Sequence, residues 1–246
     1  MQHYFMTDCE PGHRNLDLPT DISHHLLTVL RAKRGDQFEL VLADHQTYLA
    51  ELVSNGQARI IKRLARQSEL PVHVVLACGV PKTKDKPELI VQKGTEMGAS
   101  QIIFFDAQRS ISYWKGNKRE RKLQRLQKIA QGAAEQSHRN YVPTVAYAKN
   151  WQEAVALAQA DECLVAWEES AKEGEEAKLA QNLKNLRPGQ RLLAIFGPEG
   201  GLTSGEVDAM QKDGITAVGL GPRILRTETA PLYLMAAVSY QLELTK

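Results

Sequence analysis

Cysteine is scarce, with three residues in 246. Cys9, Cys78 and Cys163 are widely separated, odd in number and free of C-x-x-C spacing, which excludes a disulfide framework and a cysteine zinc site and leaves reduced thiols. No stretch approaches the ~20 apolar residues needed to cross a bilayer. Met1 to Phe5 is polar and aromatic, where a secretory signal would carry a basic and then an apolar run, so the expected location is the cytoplasm. An excess of one charge is also lacking: 31 Lys and Arg face 29 Asp and Glu, for a net +2. Any hold on nucleic acid must therefore come from where the charges lie. Familiar ligand motifs are missing. Gly219-x-Gly221 is followed by Ile224 where a dinucleotide fingerprint needs its third glycine, and there is no G-x-x-x-x-G-K-[ST] or H-E-x-x-H, so no metal is expected.

What is present divides at a polar stretch closed by proline, Arg66 to Pro71. Residues 1–70 carry short runs of strand character, Gln37 to Leu42, Thr47 to Leu52 and Ala58 to Leu64, separated by Gly, Asp and Asn turn signals. This pattern predicts a small β-barrel. Ahead of it, Leu26, Leu27 and Leu30 are spaced for one face of a helix over His24 to Arg34, with Gly35-Asp36 as its stop. In 71–246 apolar strands alternate with amphipathic helices, which predicts an α/β sheet covered on both faces. Strands are expected at Val72 to Cys78, Gln101 to Phe105, Cys163 to Trp167, Leu192 to Phe196 and Thr216 to Leu220. Helices are expected at Glu88 to Met97, Asn117 to Asn140, Trp151 to Ala160, Ser204 to Asp213 and Pro231 to Leu244, with Ala171 to Asn185 as a solvated helix.

Open α/β sheets bind ligands beyond the carboxyl ends of their strands, so the loops after Phe105, Trp167, Phe196 and Leu220 are the places to look. Gly197-Pro198-Glu199-Gly200-Gly201-Leu202 follows one strand and runs into Thr203 and Glu206, which have capping-box spacing. Its glycines let backbone amides and carbonyls approach a ligand, although an ordinary strand-to-helix turn also uses one or two of them. The second loop, Leu220 to Ala230, is dense in charge and precedes an apolar, buried helix. Arg226 and Glu228 are expected to be partly buried, either as a mutual ion pair closing the helix start or as site groups.

The long helix sorts at about 100° per residue into an apolar side, Leu123, Leu126, Ala130, Ala133, Ala134 and Ser137, and a polar side, Arg121, Arg125, Lys128, Gly132, Glu135 and Arg139. A solvated face is the default for such a stripe, but the cluster at its end makes Glu135 and Arg139 site candidates. Lys82, Lys84 and Lys86 follow a strand and suit phosphate, in combination with Arg109, Lys115 and Lys118.

Gln92 to Gly98, Glu135-Gln136-Ser137-His138-Arg139, Gly197 to Leu202 and Leu220 to Ala230 together resemble the signature blocks of the RsmE-type 16S rRNA uridine N3-methyltransferases of the SPOUT class, over almost the whole chain. Gly94 stands where alanine or serine is commoner in that family. The segment from His24-His25 through Leu30-Arg31 to Gly35-Asp36 is similar to the family's PUA-like RNA-binding domain. The resemblance implies an α/β SPOUT-type parallel sheet with a C-terminal trefoil knot, preceded by a small PUA-like β-barrel domain. It also implies a homodimer, 16S rRNA or the small ribosomal subunit as partner, and S-adenosylmethionine held by Phe196, Gly197, Pro198, Gly200, Gly201, Leu220, Gly221, Ile224, Leu225 and Thr229. Catalytic candidates are Arg226 or Arg139 at a uracil carbonyl, with Glu199, Glu228 or Glu135 taking or orienting the proton. RNA contact is expected of Arg14, Arg31, Lys82, Lys84, Lys86, Arg109, Arg121 and Arg125. A ribose 2′-O-methyltransferase sharing both loops and a non-catalytic RNA-binding assembly factor are the competing readings.

Overall fold

The computed structural model describes residues 1–168 and 176–245, which form two compact units. The first comprises Met1–Glu69 and Ala134–Tyr141, and the second Leu70–Ala133 and Val142–Lys246. The chain thus leaves the first unit at the proline-closed stretch and returns to it for eight residues.

The first unit is built on a five-stranded sheet of order β1-β3-β4-β5-β2, with β1 (His3–Phe5), β2 (Asn15–Asp17), β3 (Gln37–Val41), β4 (Thr47–Ser54) and β5 (Gln57–Arg63). The three expected strands form its centre. The two short edge strands have too few residues to show alternation, and among the described residues they do not pair with each other, so backbone bonds do not close the ladder into a barrel. Irregularities in the β4–β5 register fall at Leu49/Ala50 and Leu52/Ser54, where bulges bend a strand. Phe38, Leu40, Ala50, Leu52 and Ala58 make the core with Leu16, Ile22 and Leu26.

The helix of this unit begins and ends earlier than expected. α1 (Thr20–His24) follows Pro19 and continues as a π turn over His25–Val29, after which Arg31 turns out through a φ of 56°. Leu30 is consequently exposed, while Leu26 is buried.

In the second unit six parallel strands lie in the order β11-β9-β10-β6-β7-β8, from β6 (His73–Gly79), β7 (Ala99–Phe105), β8 (Thr144–Ala148), β9 (Glu162–Ala166), β10 (Arg191–Phe196) and β11 (Thr216–Val218). The near-continuous apolar runs arise because successive residues face opposite layers and both layers are covered. Val74, Leu76 and Cys78 pack with α2 (Asp85–Glu96), α3 (Gly116–Gln136), α5 (Glu176–Asn185) and α7 (Thr229–Ser239), whereas Val75 and Ala77 pack with α4 (Trp151–Ala158) and α6 (Ser204–Lys212). β8 escaped the sequence reading because its only fully buried residue is Ala148, as suits an edge strand.

Two helices depart from expectation. α5 is amphipathic rather than wholly solvated, since Leu179 and Leu183 join the core. Positions 171–175 of that expected helix lie outside the described residues. α3 stops at Gln136, and His138 takes a φ of 55°. The helical period therefore no longer governs Arg139, which is 2% exposed instead of lying on the polar face. Gly94 sits where α2 crosses the sheet: a Cβ there would stand 3.1 Å from Leu76 Cδ1 and 3.4 Å from Ile102 Cδ1. Its absence lets helix and sheet approach closely.

Candidate functional site

The two loops meet. Thr227 Oγ1 donates a 2.8 Å hydrogen bond to the carbonyl of Gly197, joining the loop after β11 to the loop after β10. Both loops leave the carboxyl edge of a parallel sheet, as the strand-end rule requires. Strand β6 supplies the floor. Gly79, its last residue, lies so close to the first loop that a Cβ would fall 2.5 Å from Pro198 Cδ and 2.7 Å from its nitrogen.

Within the first loop the chain folds back on itself. The N–H of Gly201 donates to the Pro198 carbonyl at 2.8 Å, and a Cβ on Gly197 would meet the Gly201 carbonyl carbon and the Leu202 nitrogen at 2.8 Å each. Gly201 itself has a φ of 69°. Arg109, in the loop after β7, donates to the carbonyls of Gly200 and Leu202 at 3.2 and 3.3 Å. Its guanidinium buttresses this turn, whereas the sequence had assigned Arg109 to RNA contact. The expected capping box is formed: Thr203 accepts from the Glu206 N–H, and Glu206 accepts from that of Thr203. Glu206 also accepts from the Gln108 N–H at 2.9 Å, which ties the start of α6 to the loop after β7.

Charge between the loops is organised by Lys86, in the first turn of α2. Its ammonium lies 2.9 Å from Glu199 and 3.3 Å from Glu228, and both Glu199 oxygens also accept the Lys82 N–H at 3.1 Å. Of the two alternatives for Arg226 and Glu228, the mutual ion pair is not formed, and Glu228 takes part in this arrangement instead. Thr227 is the residue of its turn that faces inward, so Arg226 is exposed and Glu228 turns to Lys86. Lys86 is thus engaged by two carboxylates, while Lys82 and Lys84 remain exposed.

The Glu199 hydrogen bond is the main force raising the Lys86 ammonium above its ordinary value, with burial opposing and Glu228 assisting. Burial alone would raise the Glu199 carboxyl, but hydrogen bonds from Lys86, from its own backbone and from the Lys82 N–H hold it below its usual range. The Glu199 contribution to stability is complete above the unfolded carboxylate value of about 4.3 and is lost as pH falls through the depressed folded value; the Lys86 contribution is complete below about 10.4 and lost as pH rises through the raised one. Lys86→Met should therefore lower the denaturation midpoint by an amount constant between about pH 6 and 9. A difference that varied across that window would reject the pairing.

Around this centre, Phe196 and Pro198 are buried, Leu220, Gly221 and Leu225 are half-buried, and Thr229 is exposed at the first residue of α7. Ile224 is 81% exposed. Gly221 has a φ of 88°, which the turn into Pro222 needs and which glycine adopts without strain. Glu135 and Arg139 fall in the first unit, where Arg139 is ion-paired with Glu69. Arg121 is exposed, Arg125 pairs with Glu88 at 2.8 Å, and Arg14 and Arg31 are exposed in the first unit.

Sequence reasoning missed Thr227, Gly79 and Asp106. Thr227 and Gly79 act through close contacts that no local pattern announces. Asp106 directly follows Phe105, in a loop already under suspicion. It accepts from the Tyr147 hydroxyl at 2.7 Å, while its buried Oδ1 has no hydrogen-bond partner among the described residues.

Comparison with known proteins shows the family to which the chain belongs. Residues 68–239 match the family model described as RNA methyltransferase domain, and residues 18–62 match the one described as RNA methyltransferase PUA domain. The chain is 44% identical over 229 residues to the ribosomal RNA small subunit methyltransferase E of Bacillus subtilis, covering 91% of this chain and 89% of the relative. It is 32% identical to the protein of that name from Synechocystis, covering 92% and 73%. A crystal structure of ribosomal RNA small subunit methyltransferase E from Neisseria gonorrhoeae bound to S-adenosyl methionine superposes with a TM-score of 0.81 at 29% identity, covering 97% of both chains. A fold with these loops and matches to both family models identify the chain as a member of the RNA methyltransferase family with an N-terminal PUA domain.

Proposed function

We propose that the protein transfers a methyl group from S-adenosylmethionine to N3 of a uridine in 16S ribosomal RNA, in the cytoplasm. The observation that carries this reading is the Thr227–Gly197 hydrogen bond, which brings two glycine-bearing strand-end loops together, with Lys86 held between Glu199 and Glu228 beside them. The residues present fit the cofactor. Gly197, Gly200, Gly201 and Gly221 offer backbone without side chains, Phe196, Pro198, Leu220, Ile224 and Leu225 offer apolar walls, and the carboxylates suit a sulfonium. Thr229 lies at the helix start beyond them.

When bound, the cofactor supplies an electrophilic methyl carbon. What remains for the protein is to remove the N3 proton, align the base and neutralise charge on its carbonyl oxygens. Arg226, exposed on the second loop, is assigned the contact to O2 or O4 of uracil. Glu228 or Glu199 takes or orients the proton, and Lys86 bridges the two carboxylates and fixes their positions. Glu135 and Arg139 fit this role less well, because Arg139 is sealed in an ion pair with Glu69. The substrate uridine must be unpaired or extruded, since a duplex hides N3.

The C-terminal part of the chain is proposed to be threaded as a trefoil knot, consistent with β11 lying beside β9 rather than β10. A homodimer is proposed on the C-terminal face, where Tyr233, Tyr240 (62% exposed) and Leu244 (73% exposed) recur along α7 and the π turn that follows. RNA contact beyond the base falls to Lys82, Lys84 and Arg121, and to Arg14 and Arg31 of the first unit, which is proposed to bind RNA. Arg226→Ala should retain the fold and lower methyl transfer to small-subunit RNA by about 100-fold, measured as 3-methyluridine by nucleoside mass analysis. Full activity in that variant removes Arg226 from the mechanism, and methyl found on a ribose would overturn the reaction assignment.

A further inference from the structure

Inside the first unit, three Lewis-basic atoms from distant parts of the sequence converge on one point. His3 Nδ1 lies 3.0 Å and His138 Nδ1 2.8 Å from the same carboxylate oxygen, Glu39 Oε2. Among the described residues these three form a group whose donor atoms all lie within 4.8 Å of one another. His3 and Glu39 are sealed from solvent, and His138 is partly open.

Hydrogen bonding alone satisfies the His3 contacts only when both ring nitrogens carry a proton. His3 Nε2 lies 2.8 Å from the Arg139 carbonyl, an acceptor, so it carries a proton. In a neutral ring Nδ1 then presents a lone pair to a carboxylate oxygen. His138 Nδ1 faces a similar conflict, with the Glu39 oxygen at 2.8 Å and the Arg66 guanidinium at 3.1 Å, because it cannot donate to one and accept from the other. A cation placed among the three atoms would resolve both conflicts. The His3 bond to a backbone carbonyl is the outer support that metal-bound imidazoles need to fix tautomer and ring orientation.

We propose that His3, Glu39 and His138 bind one divalent late first-row transition-metal ion. With metal–ligand bonds of about 2.0–2.2 Å, donor pairs 2.8 and 3.0 Å apart subtend roughly right angles, the arrangement of a tetragonal or octahedral ion. Two imidazoles and a carboxylate, with no thiol, suit Ni²⁺ or Cu²⁺ at such angles, and Zn²⁺ only with an expanded coordination shell. Entry runs past Arg66, whose half-exposed guanidinium reaches both Glu39 oxygens, at 2.8 and 3.0 Å, and must move aside as the ion enters. The ion would join β1, β3 and the returning segment Ala134–Tyr141, strengthening the first unit. The transferred methyl does not depend on it.

The test is calorimetric titration of the tag-free, chelator-treated full chain with Ni²⁺ alone and with Zn²⁺ alone, together with thermal melting. The expected result is one ion per chain and a higher melting temperature with metal. His138→Ala, at the partly open ligand, should weaken binding at least tenfold, while Arg66→Met, which removes the competing cation, should tighten it. Absence of stoichiometric binding would overturn the proposal and leave a protonated His3–Glu39–Arg66 network. So would binding that His138→Ala leaves unchanged, since the ion would then sit elsewhere. If His138→Ala proves unstable, Arg66→Met decides alone: unchanged or weaker affinity in that variant rejects the site.

Discussion

Gly197→Ala is expected to abolish measurable methyl transfer while leaving a folded chain that is less stable than the parent. The added methyl would lie 2.8 Å from two backbone atoms, the Gly201 carbonyl carbon and the Leu202 nitrogen. Neither can rotate away. Leu202 is anchored in the core beside Val207 and Met210, so the turn cannot swing outward without dragging a buried side chain. Overpacking of this kind costs about 1–3 kcal/mol. The larger effect is on chemistry, because the Gly197 carbonyl accepts the bond that ties the two loops together. Displacing it by about 1 Å is expected to cost on the order of 100-fold in the reaction through lost alignment, on top of weakened cofactor binding. S-adenosylmethionine titration of the purified variant gives the second number directly. Parental affinity and turnover would show that the turn tolerates a side chain and is not the cofactor cradle.

Arg139→Met should cost about 3–5 kcal/mol of stability, the usual penalty for leaving one partner of a buried ion pair unpaired. The guanidinium is 2% exposed and is held by both Glu69 oxygens, while the Asn140 N–H donates to Glu69 at 2.8 Å. Removing the cation leaves Glu69 with that amide but without its counter-charge. Urea unfolding of the variant measures the loss, and restoring volume with methionine separates charge from cavity. An Arg139→Met chain of parental stability that cannot transfer methyl would return Arg139 to the catalytic list and contradict the structural role assigned to it.

The contrast between Arg139 and Glu199 shows where reading along the chain succeeds. Glu199 lies in a loop bracketed by an apolar strand and a capping box, signals that act over a few residues and survive into the structure. Arg139 looked like a polar-face residue because it followed the helical phase of Arg121 and Arg125, and it became a site candidate through the polar cluster at the helix end. That phase ends at Gln136, and the positive φ of His138 sends the next side chain inward. A helix stop without glycine or proline is hard to see, since histidine in the left-handed region depends on what surrounds it.

Local chemistry thus determined a good deal by itself: the alternation that makes a covered parallel sheet, the strand-end position of both glycine loops, and the residues that resemble an RNA methyltransferase. Those features depend on periodicity and on the few conformations open to glycine and proline, which each segment carries with it. Tertiary structure decided the rest. Thr227 meeting Gly197, Lys86 choosing Glu228 over phosphate, Arg109 turning to two carbonyls, and His3 meeting His138 are contacts between residues 30 to 142 positions apart. Which donor finds which acceptor at such separations depends on how the layers pack, and burial then makes the pairing obligatory, because a polar group cut off from water must be satisfied by whatever the fold brings within reach.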